Sequence, residues 1–106
     1  MKIEFYRNLY VSERFEKKKE KTIRKILEHK FQTDVYLITL PHGEHNQLEF
    51  FDSVLLKQKI FRKPSYFVVG IADGYDEAIF LVEKIMKEVY DETGTLNARE
   101  FLEHRR

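Results

Sequence analysis

The stretch Pro41-His42-Gly43-Glu44-His45 puts two imidazoles and a carboxylate within four residues. Histidine titrates near neutrality and ligates metals, so His42, Glu44 and His45 offer an acid–base pair or a ligand set. The spacing fits neither of two well-defined zinc patterns. A His-Glu-x-x-His helix needs its histidines four apart, and these stand three apart around a glycine. A His-x-Glu deaminase site needs downstream cysteines, and the chain has none. No metal and no cofactor are expected, and a polar loop punctuated by Pro and Gly accounts for the same residues.

Gly70-Ile71-Ala72-Asp73-Gly74 follows an apolar run and precedes a helical pattern, the setting of an anion-binding turn. It matches neither glycine-rich phosphate motif, and Asp73, Asp76 and Glu77 put negative charge where a phosphate would sit. The acids suit the positive end of a helix instead, with Asp73 and Asp76 as an acidic capping pair. The three serines, Ser12, Ser53 and Ser65, lie in no Gly-x-Ser-x-Gly elbow. No residue set meets the requirements of a catalytic constellation, and catalysis is not the expected role.

Arg14, Lys17, Lys18, Lys21 and Lys25 share one side of a helical pattern, with Phe15, Thr22, Ile23 and Ile26 on the other. Such a stripe can touch nucleic-acid phosphates. It is flanked by Glu13, Glu16, Glu20 and Glu28 and has no interleaved aromatic to stack bases, so a solvated face is the simpler reading. Lys19 falls on the apolar side, where its stem can snorkel. Phe80 stands among Asp76, Glu83, Lys84 and Lys87 on the charged face of a second helix, with Leu81 at the border. Leu96, Phe101 and Leu102 in the tail also need a surface. Phe80, Leu81, Leu96, Phe101 and Leu102 are therefore the expected interface, closed either by the tail itself or by a protein partner or second copy.

These residues need elements to position them. Ile3, Phe5, Tyr6, Leu9, Tyr10 and Val11 read as a strand, after which Ser12 can cap a helix running to His29–Phe31. Val35–Leu40, stopped by Pro41, and Tyr66–Ala72 are nearly continuous apolar runs, as in strands covered on both faces. Tyr75, Ala78, Ile79, Val82, Met86 and Val89 share one helix face that ends at Thr93-Gly94, where Gly can take a left-handed conformation. Asn97 and Glu100 can open a short final helix. The segment 46–63 reads two ways. As a helix from Asn46 it gives β-α-β-α-β-α, a three- to four-stranded largely parallel sheet with packed helices. As a strand over Gln47–Phe51, with Asp52 or Ser53 opening a shorter helix, it gives a ferredoxin-like β-α-β-β-α-β order plus a C-terminal helix.

The parallel reading is preferred. It would align Ser12, the 41–46 loop and the Asp73–Tyr75 turn along one sheet edge, where ligands of open α/β sheets bind. His42, Glu44, His45, Asp73 and Tyr75 would then form a small-ligand or enzyme site.

Length and composition bound the rest. The 106 residues make one α/β domain, 1–106, large enough for a core without staples. Nine Phe, six Tyr and a hydrophobic content of 42% argue against disorder, and the absence of cysteine excludes disulfides and thiol chemistry. No apolar run is long enough to span a membrane, and Met1-Lys2-Ile3-Glu4-Phe5 does not begin a signal peptide. A cytoplasmic location with no membrane partner is expected. The net charge of +1 conceals an asymmetry: +5 over residues 1–33 and −4 over residues 65–106. A small overall balance does not suit a dedicated nucleic-acid binder. The expectation is a non-catalytic α/β module acting through protein contacts. The small-ligand site and weak nucleic-acid binding through the basic stripe are the alternatives.

Overall fold

The computed structural model describes residues 1–42 and 47–104, with His104 described by its backbone alone. The most apolar stretch of the chain is central. Strand β4 (Ser65–Asp73) buries every residue from Tyr66 to Ala72. It lies between β1 (Lys2–Val11) and β2 (Val35–Thr39), and β2 is flanked by β3 (Glu49–Asp52), so the sheet order is β1-β4-β2-β3. β1 and β4 run parallel, whereas β2 is antiparallel to both β4 and β3.

This mixed sheet departs from both expected topologies. The apolar runs were legible as strands covered on both faces, and they are. Coverage does not require parallel neighbours, however. Residues 40–48 are too few for a crossover helix, which takes about a dozen or more residues, so β2 and β3 meet antiparallel. The 46–63 segment takes the strand option locally: β3 is followed by a 3₁₀ turn over Ser53–Lys57 capped by Asp52, whose side chain accepts from the Val54 N–H. The resulting order of elements resembles the ferredoxin-like one, but the strand order in the sheet does not.

Helices cover both faces. On one, a 3₁₀ segment Glu13–Lys18 runs into α1 (Lys19–Leu27), and Phe15 and Ile26 pack with Leu56, Leu37, Val68 and Ile71. On the other, α2 (Tyr75–Thr93) lays Ala78, Leu81, Ile85 and Val89 on the sheet, and α3 (Ala98–His104) adds Phe101 and Leu102. α2 ends where expected, with Gly94 at φ 73° and its N–H on the Tyr90 carbonyl.

Irregular pairing marks the centre of the sheet. Ile38 pairs with Gly70 and Thr39 with Val68, leaving Val69 as an extra residue on β4. On the other side β1 pairs Phe5 with Val68 and Tyr10 with Gly70, so Tyr6–Leu9 spans what β4 covers with Val69 alone. A Cβ on Gly70 would stand 3.2 Å from Ile38 Cδ1 and 3.3 Å from Leu81 Cδ2. Glycine is there because sheet and helix approach closely.

Candidate functional site

Parallel β1 and β4 bring Ser12 and Asp73 to one edge of the sheet. Ser12 does not cap a helix N–H as its position suggested. Its backbone N–H donates to the Ile71 carbonyl at 3.0 Å, and its Oγ accepts from the Asp73 N–H at 3.0 Å. Asp73 likewise caps nothing: α2 has Gly74 at its N-cap without a side-chain hydrogen bond, and the Asp73 carboxylate takes Arg14 Nη1 at 3.0 and 3.1 Å. Both residues stitch β4 to the chain that leaves β1.

The antiparallel course of β2 sends its carboxyl end to the opposite edge. His42 is exposed there, with Nε2 2.7 Å from Oγ of Ser65 at the start of β4. Eight residue steps along β4 separate Ser65 from Asp73, about 26 Å at about 3.3 Å per residue. The proposed set of His42, Asp73 and Tyr75 therefore does not assemble, because one site cannot span that distance. Glu44 and His45 lie outside the described residues. The His42–Ser65 contact resembles a base beside a nucleophile, but no described group orients the imidazole. Tyr75 packs its ring against Tyr36 and Phe50, with centroids at 6.3 and 5.6 Å. Beneath it, loss of hydration and the carboxylates of Asp52 and Asp34 push the Tyr36 hydroxyl above its ordinary pKa.

The expected interface is divided by burial. Leu81, Phe101 and Leu102 are taken up by the core, since the tail folds back as α3 and fills the space beside Ile85 and Phe67. Arg99 secures α3 by donating to the Pro41 carbonyl and pairing with Glu103. Phe80 and Leu96 stay exposed, at 64% and 63%. Phe80 borders a groove with Val11, Leu81, Glu13, Glu16, Glu77 and Lys84.

Two further concave features differ from it in lining. The first is a groove of about 140 Å³ between α1 and the end of the sheet, where β1 and β4 finish. Four of the five stripe residues line it, Arg14, Lys18, Lys21 and Lys25, joined by Lys30. Lys17 lies farther round the helix and is not among them. Lys19, half-buried at the start of α1, borders the solvent side with Glu20 and Arg24.

The second feature was missed by sequence reasoning. An apolar groove of about 170 Å³ lies beside edge strand β3, lined by Phe51, Leu55, Leu56, Phe61 and Tyr66 and crossed by the Lys63–Glu49 pair at 3.6 Å. Ile60, in the 3₁₀ turn Lys59–Phe61, is 83% exposed. The available signal was Ile60-Phe61 inside Lys57-Gln58-Lys59-Ile60-Phe61-Arg62-Lys63, an apolar pair in a basic run that fits neither a helix face nor a strand alternation.

Among the described residues no three His, Cys, Asp or Glu side chains are grouped to hold a metal ion, and no helix is long and apolar enough to cross a membrane. Compared with known proteins, the chain matches no family model, and no curated protein or solved structure matches it.

Proposed function

We propose that this protein is a non-catalytic binding module that docks an extended, apolar and acidic segment of a partner protein beside β3. The observation that carries the reading is the exposure of Leu55 and Phe61 in one groove whose other walls are Phe51, Leu56 and Tyr66. Single exposed apolar side chains are ordinary, whereas two that line one apolar concavity are characteristic of an interaction surface.

Two features specify the occupant. No described strand pairs with the outer edge of β3, so its free backbone groups favour an extended peptide that places alternate side chains in the groove. The run from Lys57 to Lys63 carries four basic residues and no acid, and Lys57 and Lys59 form no ion pair among the described residues. That surround favours Asp and Glu between the apolar side chains of the ligand.

Selection of a displayed random-peptide library on the wild type, with counter-selection on Phe61→Glu, tests this. Enrichment of peptides alternating apolar residues with Asp or Glu, lost on Phe61→Glu and on Leu55→Asp, is the expected outcome. Enrichment indifferent to both variants overturns the reading. So does light scattering that shows a dimer dissolved by Phe61→Glu, which would give the groove to a second copy. A dimer dissolved only by Phe80→Glu would move the interface to α2.

A further inference from the structure

We propose that the groove between α1 and the sheet is a second, independent site, which binds a small phosphate-bearing ligand. Five cationic side chains converge on it, and the two with carboxylate partners are Arg14, on Asp73, and Lys30, 3.4 Å from Glu28. Lys18, Lys21 and Lys25 have no ion pair among the described residues. Gathering three unneutralised ammonium groups around one concavity costs free energy in the unliganded protein, and an anion seated between them relieves it.

The groove has the form of a site as well as the charge. Thr22 is 9% exposed, lines the groove, and its hydroxyl has no hydrogen-bond partner among the described residues, so it stands available to a ligand oxygen. Arg14 is already oriented: Nη1 is held by both oxygens of Asp73, which leaves Nε and Nη2 for a phosphate. Its opposite wall is built by Gln32 and by Val35 at the start of β2, which pairs with Asp73 at the end of β4.

Size and lining choose between a small ligand and a polymer. At about 30 Å³ per water, 140 Å³ holds about five waters, room for one or two phosphoryl groups. The aromatic lining the groove, Phe15, is buried at 8% exposure and cannot stack a base. Lys17, which a nucleic-acid backbone laid along the basic stripe would touch, is outside the groove.

Calorimetric titration with inorganic pyrophosphate at low salt, beside a fluorescent twelve-nucleotide RNA, tests the site. Pyrophosphate is expected to bind the wild type, with affinity lowered about tenfold by Lys21→Ala or Lys25→Ala. Lys17→Ala should leave it unchanged. Backbone amide shifts on titration should centre on Thr22, Gln32 and Ser53. Absence of pyrophosphate binding at millimolar concentration overturns the proposal. Equal weakening by Lys17→Ala and Lys21→Ala overturns it too, since that is the response of a diffuse basic surface. Tighter binding of the RNA with dependence on Lys17 would replace it with a nucleic-acid interface. The substituted lysines are exposed or half-buried, and far-ultraviolet circular dichroism verifies that each variant is folded.

Discussion

Ser12 and Asp73, 61 residues apart, are joined by a 3.0 Å hydrogen bond from the Asp73 backbone to the Ser12 hydroxyl. A second bond, from the Ser12 N–H to the Ile71 carbonyl, extends the β1–β4 ladder to its last possible rung. The junction fixes where the chain leaves the sheet for the 3₁₀ segment and α1. It thereby sets the position of Arg14 at the mouth of the basic groove.

Ser12→Ala removes the acceptor and is expected to cost about 1–2 kcal/mol, because Ser12 is buried and its partner N–H is left unsatisfied. Arg14→Ala breaks a pair whose arginine side chain is 67% exposed, and should cost less than about 1 kcal/mol. Urea denaturation of both variants measures the contrast. Equal losses would mean that the exposed ion pair, and not the buried hydroxyl, holds the junction.

Two glycines should fail for different reasons. Gly70→Val forces methyl groups against Ile38 and Leu81 and is expected to destabilise by about 1–3 kcal/mol through overpacking. Gly94 has open space around it, so Gly94→Ala is charged only for the left-handed backbone, about 1–2 kcal/mol. Gly94→Asn should recover part of that loss, since Asn visits the left-handed region more readily. Thermal or chemical denaturation distinguishes the cases, and a Gly94→Asn variant no better than Gly94→Ala contradicts the account.

Tyr36 should ionise above the ordinary tyrosine range, because loss of hydration and then Asp52 and Asp34 raise its pKa. Between its unfolded value, about 10, and its higher folded value, the native state holds a proton that the unfolded state has released. Stability therefore falls as pH rises through that window and is unaffected by Tyr36 below it. Absorbance at the tyrosinate band is expected to show a late component that Tyr36→Phe removes. The variant should also lose stability less steeply at alkaline pH. A titration curve unchanged by Tyr36→Phe would contradict the assignment.

Several elements were readable directly from residue order. The strands at 2–11, 35–39 and 65–73, the amphipathic pattern of α1 and the glycine stop of α2 follow from spacing and local backbone preference, which act over a few residues. The basic stripe of Arg14, Lys17, Lys18, Lys21 and Lys25 was readable in part: four of the five meet at one groove, but Arg14, Lys17 and Lys18 lie in the 3₁₀ segment before α1, and Lys17 falls outside the groove. Its concavity was not readable, because the opposite wall comes from Gln32, Val35 and Ser53, which only tertiary packing brings near.

Strand direction was the decisive unknown. Val35-Tyr36-Leu37-Ile38-Thr39 buries the same side chains whether it runs up or down beside β4, so hydrophobic patterning carries no sign for it. The length of the 40–48 link and the pairing of β1 with β4 settle that sign in three dimensions. With it they determine that His42 and Asp73 stand at opposite edges. Periodicity depends on neighbours a few residues apart, whereas a site depends on which strand ends share an edge, and that depends on the whole chain.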